Sequence, residues 1–198
     1  MISAGRYDKL FFNETQKKNY IFCVKKGEKE LYNKNAVLIM GNCGVGKTWV
    51  MKQLLDTPNK PYKLGKFNFH ETDNYIVVGK YDNSTFEGSD KLSMSVITDL
   101  NLMLRYLKKV DKIAIFEGDR FTNSKFIEKA EPIIIKINGD GKKGRDKRGS
   151  NQSERHLKSI RTRISNINSH KDVHNSEDCL KAVKILIQEY DRNRIKTH

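Results

Sequence analysis

The stretch AVLIMGNCGVGKTWVMKQLL, Ala36 to Leu55, decides the fold. Its apolar run, Ala36 to Met40, leads into GNCGVGKT, Gly41 to Thr48, which meets the phosphate-binding pattern G-x-x-x-x-G-K-[ST] at every required position. A short apolar run rich in branched residues predicts a buried parallel strand. KTWVMKQLL, Lys47 to Leu55, predicts the helix into which the loop opens. Gly41, Gly44 and Gly46 let the backbone curl so that N–H groups converge on anionic oxygens. The helix N-terminus adds its dipole and unpaired donors. Lys47 is expected along the β- and γ-phosphates, and the Thr48 hydroxyl on magnesium. Cys43, Val45 and Trp49 complete the expected nucleotide-contacting set. The flanking strand and helix separate this reading from a glycine-rich turn with a solvated lysine.

The chain has 198 residues, enough for one sizeable domain with a real core. Its 38 Lys and Arg against 24 Asp and Glu leave a net charge of +14. A phosphate loop accounts for one or two of those charges, so a polyanion is expected as partner, nucleic acid ahead of a membrane surface. Three scattered cysteines, Cys23, Cys43 and Cys179, give neither metal spacing nor a disulfide framework, so a reducing cytoplasm is the expected location. No apolar run has membrane length, and no membrane partner is expected.

Residues 1–35 read as an N-terminal extension with a short strand at Tyr20 to Val24, and residues 36–198 as the main domain. Pro58 and Pro61 break the chain after the loop helix. Lys66 to His70 alternates, and Tyr75 to Val78 reads as a strand ending at Gly79. GKYDNSTFEGSD, Gly79 to Asp90, then falls where open α/β sheets place ligands. There Tyr81 and Phe86 offer stacking surface, and Asp82 and Asp90 offer carboxylates able to take a proton. Lys91 to Val110 has helical spacing of apolar residues, for which Ser89 or Asp90 could instead serve as N-cap.

Ile113 to Phe116 predicts a buried strand running into Glu117, Gly118, Asp119 and Arg120. An acid at such a strand end suits a magnesium shell, and an arginine there suits transferring phosphoryl oxygens. A structural ion pair among these residues is the competing reading. A helix over Asn123 to Ala130 and a strand over Ile133 to Ile137 follow. Asn138 to Ser150 alternates glycines with five Lys and Arg, and no packed structure is expected there without a ligand. Residues 138–152 are expected to act as a basic lid. The next helix, from Ser153, carries Arg155, Arg161 and Arg163. Spacing does not tell which of them reaches the ligand; Arg155 and Arg161 are candidates for the nucleotide, and Arg163 for the acceptor. An amphipathic helix from Ser176 to Arg194 closes the chain. The order of elements predicts a three-layer, mostly parallel α/β domain.

The loop, GKYDNSTFEGSDKLSM, FEGDRFTN and ERHLKSIRTRISNI, in that order, resemble bacteriophage P-loop kinases that phosphorylate 5-hydroxymethyluracil in DNA during thymine hypermodification. The resemblance spans Ala36 to Ile167. It implies ATP and magnesium at Gly44, Val45, Gly46, Lys47 and Thr48, and a base within DNA as acceptor. Asp90 or Asp82 would orient or deprotonate that acceptor, and Glu117, Asp119 and Arg120 would complete the magnesium and acceptor site. A base in duplex DNA is enclosed, so flipping or a single-stranded target is implied as well. The location would then be the host bacterial cytoplasm. Two alternatives share these features: a kinase of free nucleotides or nucleosides, and a nucleic-acid-stimulated ATPase.

Overall fold

Among the described residues, seven strands form one sheet in the order β2-β3-β4-β5-β1-β6-β7. A computed structural model describes residues 34–82, 87–147, 149–150 and 152–197. The strand expected at Tyr20 to Val24, and Phe86, lie outside the described residues. The strands are β1 (Ala36–Gly41), β2 (Lys60–Leu64), β3 (Phe67–Glu71), β4 (Tyr75–Val78), β5 (Ile113–Glu117), β6 (Ile133–Ile137) and β7 (Lys171–Val173). The helices are α1 (Lys47–Leu54), α2 (Leu100–Val110), α3 (Ser124–Ala130), α4 (Lys142–Lys147), α5 (Glu154–Ser165) and α6 (Ser176–Thr197). Pairings among β4, β5, β1, β6 and β7 are all parallel; β3 pairs antiparallel with both β2 and β4, so it alone runs against the other strands. The protein is thus α/β with a mostly parallel sheet.

Every residue of β1 is buried, as a central parallel strand requires. Ala36, Leu38 and Met40 share a core with Leu100, Met103 and Leu107 of α2, Phe126 of α3, and Ile160 and Ile164 of α5. Val37 and Ile39 point to the other face by the period of two. On that face α1 and α6 pack together, and both contact strands of the sheet. Helices therefore cover both faces. Among the described residues, no helix is long and apolar enough to cross a membrane.

Three sequence expectations are corrected, and one strand was not expected. The helix expected from Lys91 begins only at Leu100. Before it stand 3-10 turns at Ser89–Lys91 and Val96–Asp99. There Ser93 Oγ accepts from the Ser95 amide and Thr98 Oγ1 donates to the Ser95 carbonyl, local bonds that compete with a helix. Ser89 and Asp90 are consequently not its caps.

Lys60–Leu64, read as broken by proline, is a strand: Pro61 sits on the exposed edge of the sheet, where a missing donor costs no ladder bond. The three-residue β7 had no legible signal. Finally, residues 142–147 of the expected lid form a helix without ligand, docked by backbone contact on the loop after β1.

Candidate functional site

Parallel register brings the carboxyl ends of β4, β5, β1 and β6 to one edge of the sheet. Ile39 pairs with Glu117, and Gly41 with Ile137. From central β1 the chain passes to one side through β4 and β5, and to the other through β6 and β7, so the loop after β1 stands where the connections diverge. The segments Gly41–Thr48, Gly79–Asp90, Glu117–Thr122 and Asn138–Lys147 therefore share this edge.

In the first segment Gly41, Gly44 and Gly46 have φ of 152°, 91° and 98°, and the last two are values that side chains rarely tolerate. Gly46 caps α1 with no side-chain bond, leaving first-turn amides open to a ligand. Lys47 Nζ folds back over the loop and donates to the carbonyls of Gly41 (2.8 Å) and Asn42 (3.0 Å). Cys43 and Val45 are half-buried, and Trp49 projects from α1 at 39% exposure.

Thr48 Oγ1 donates to Glu117 Oε1 at 3.5 Å. Glu117 is 3% exposed. Burial pushes its carboxyl above the ordinary range; Lys47 pulls it back, the Asp90 charge raises it further, and the Ser89 amide and Thr48 hydroxyl lower it. A nearly enclosed carboxylate beside a threonine hydroxyl is an arrangement that suits a cation.

The loop after β4 closes at its neck, where Lys80 and Gly88 exchange both backbone hydrogen bonds at 3.1 and 2.8 Å. Tyr81 and Ser89, the next residue on each side, come to this neck. Tyr81 meets His70 edge-on, and its Oη is buried, so it points a hydroxyl inward. Burial raises the phenol well above its ordinary value, and the charges of Glu117, Glu87 and Asp90 add to this. Asp82, an expected base, is held by Lys91 at 2.9 Å and Lys80 at 3.5 Å. Asp90 is exposed and lies close enough to raise both Glu117 and Tyr81.

Arg120 lies over the same turn, donating to Met94 Sδ and, at 3.5 Å, to the Asp90 carbonyl. Asp119 pairs with Arg163 at 2.6 Å and accepts from Thr122 Oγ1. This pair joins β5 to α5 and holds both groups beside the site. Arg161 pairs with Glu154 at 3.1 Å on the outer face of α5, where Arg155 is also exposed.

The sequence reading missed Arg145, Gly88 and Ser89. Arg145 Nη1 donates to Cys43 O at 2.9 Å and to Asp140 O, and Asn42 Nδ2 donates to Gly139 O at 2.6 Å. A Cβ at Gly44 would stand 2.2 Å from Gly141 O, and one at Gly144 would stand 2.0 Å from Gly44 O. The legible signal for this docking was glycine at 141 and 144, one helical turn apart. Ser89 looked like a cap.

A cavity of about 720 Å³ opens elsewhere, between α3 and α5, and its lining shares only Arg163 with the expected site. The side chains of Gly41–Thr48 and Glu117 lie away from it, and their convergence marks the candidate site. Among the described residues no three His, Cys, Asp or Glu side chains gather as a metal cluster. No family model matches the chain, and no curated protein or solved structure matches it significantly.

Proposed function

We propose that the chain is a P-loop kinase that transfers the γ-phosphate of ATP to the hydroxymethyl group of 5-hydroxymethyluracil in DNA. One observation carries the kinase reading: Lys47 and Thr48 open α1 at the sheet edge, with buried Glu117 3.5 Å from the Thr48 hydroxyl. The acceptor rests on the sequence resemblance and on the charge of +14, which suits a phosphate backbone.

Magnesium fits the donors present. It takes oxygen ligands and keeps most of its shell as water and substrate phosphate, so Thr48 and Glu117 suffice without a dedicated cage. Bound there, it would neutralise charge on the phosphates. The residues themselves do the positioning. Loop amides and the α1 N-terminus hold phosphate oxygens, and Lys47 exchanges its loop carbonyls for them.

Asp90 is preferred to Asp82 as base, because two lysines already hold Asp82. As the acceptor oxygen bonds to the γ-phosphorus, its proton passes to the Asp90 carboxylate. The bond from that phosphorus to the bridging oxygen breaks, and ADP leaves with the electron pair. Arg120 donates to the Asp90 carbonyl, so it stands beside Asp90, where it can hold the acceptor.

The test is γ-labelled ATP with magnesium and the full chain, offered hydroxymethyluracil DNA, thymine DNA and 5-hydroxymethyl-dUMP. Label on the modified DNA alone, abolished by Lys47→Ala, is the expected result. Label only on the free nucleotide would move the enzyme to metabolite kinases. Phosphate released without a labelled acceptor would make it an ATPase.

A further inference from the structure

Buried polar atoms almost always find a hydrogen-bond partner, so those that do not call for an explanation. Among the described residues four buried side-chain atoms lack one, and three of them, Tyr81 Oη, Ser89 Oγ and Arg120 Nε, lie at or beside the acid-rich turn next to Glu117. Ser89 is 1% exposed, so its hydroxyl is withdrawn from bulk solvent. Glycine lets these groups approach one another closely. A Cβ at Gly88 would stand 2.3 Å from Glu117 Oε1 and 3.3 Å from Tyr81 Oη, and one at Gly118 would stand 2.4 Å from Ser89 Oγ.

We infer that Ser89 Oγ and Tyr81 Oη, with Arg120 Nε beside them, form a subsite that grips the hydroxyl-bearing end of the acceptor and selects it over the same base lacking that hydroxyl. This rests on the kinase reading above. The donor inventory is complementary: each protein hydroxyl both donates and accepts, Arg120 Nε only donates, and a ligand hydroxyl can do both. An anionic group would face Glu117 and Asp90, so a neutral hydroxyl suits these partners better. The orphaned atoms also explain the selectivity, because a base without the hydroxyl leaves them unpaired. Tyr81 thereby acts through its oxygen and not as the stacking platform expected from sequence.

The experiment measures binding of two oligonucleotides, one with hydroxymethyluracil and one with thymine at the same position. The full chain is used, with magnesium and a non-hydrolysable β,γ-imido ATP. Wild type should prefer the modified oligonucleotide by about tenfold or more, the worth of one or two buried hydrogen bonds. Tyr81→Phe and Ser89→Ala should each cut that preference to about threefold or less. Removing an unpaired buried hydroxyl should not lower the thermal midpoint, and affinity for the ATP analogue should stay unchanged; these controls separate selection from folding.

A preference kept in full by both variants overturns the subsite and leaves the kinase standing. Wild-type phosphoryl transfer without any binding preference does the same. Loss of preference accompanied by a lower midpoint and weakened nucleotide binding would make both residues structural and also overturn it. No transfer by wild type to any acceptor removes the kinase reading, and the subsite with it.

Discussion

Gly144→Ala sets two effects of opposite sign against each other. Residue 144 lies inside α4, with no positive φ, so alanine favours the helix by about 1 kcal/mol. Its Cβ, however, would stand 2.0 Å from Gly44 O and 2.9 Å from Gly44 C, both backbone atoms. The two segments must part by roughly 1 Å, and overpacking of that kind costs about 1–3 kcal/mol. Separation strains the Arg145–Cys43 and Asn42–Gly139 bonds together. The clash wins, and the net loss is about 1 kcal/mol, or about 3 °C in Tm for a domain of this size.

Amide exchange is the sharper assay. No residue of α4 is buried, and a six-residue helix does not persist alone, so an undocked α4 should unravel. The Arg145 and Ser150 amides, bonded to Gly141 O at 3.0 Å and Arg145 O at 3.1 Å, should then exchange faster than in wild type. A Tm raised by the propensity gain, with these amides still protected, would refute the contact between α4 and the loop.

Two further outcomes are expected. Asp90→Asn should lower kcat by about 100-fold or more, the scale of a lost general base, whereas Asp82→Asn should stay within about threefold; labelled-phosphate transfer checks both. His170 Nδ1 accepts from the Ile134 amide at 3.0 Å, and burial, with the Lys34 charge, holds its pKa below 6.5. As pH falls below 6.5 the unfolded chain takes up that proton first, so stability is lost on acidification down to the folded pKa. His70, lowered by burial, adds in the same direction. Tm measured from pH 8 to 5 should fall less steeply in His170→Gln than in wild type, and an unchanged slope would sink the assignment.

The legible parts of the fold are those where one local signal and one tertiary demand coincide. Ala36 to Met40 is apolar because both its faces are covered, and the glycines after it are needed for positive φ, so strand, loop and helix could be read together. The helix near Asn123 was legible, though not the cap: the Asn123 side chain accepts from the Phe126 amide at 2.9 Å, satisfying the start of α3. Lys60–Leu64 was not, because an exposed edge strand has no apolar face to announce it, and its proline reads as a break. Residues 91–99 carried helical spacing, but the serine and threonine side chains bond locally, and spacing does not register that competition. Of the expected site residues, Lys47, Thr48 and Glu117 converge because loop and strand ends share one register. The separate fates of Asp82 and Asp90 depend on Lys80 and Lys91 reaching only one of them, which no spacing rule contains.

What sets the strand-end region apart is the sign of its contributions to the unliganded fold. Glu117 is enclosed and keeps a raised pKa, Tyr81 Oη and Ser89 Oγ are buried without partners, and Lys47 turns onto loop carbonyls. Each is less favourable than an apolar or fully paired alternative at the same position. Opposite them, the β1 core and the face formed by α2, α3 and α5 are apolar and closely packed. A sheet with such a core can carry several unfavourable groups at one edge, and ligand contacts there would satisfy them together. Random imperfection would scatter orphaned atoms through the molecule. Three of the four found among the described residues instead meet the same acidic turn, where the glycines at 88 and 118 permit close approach. That concentration argues for a bound species whose hydrogen bonds complete the site.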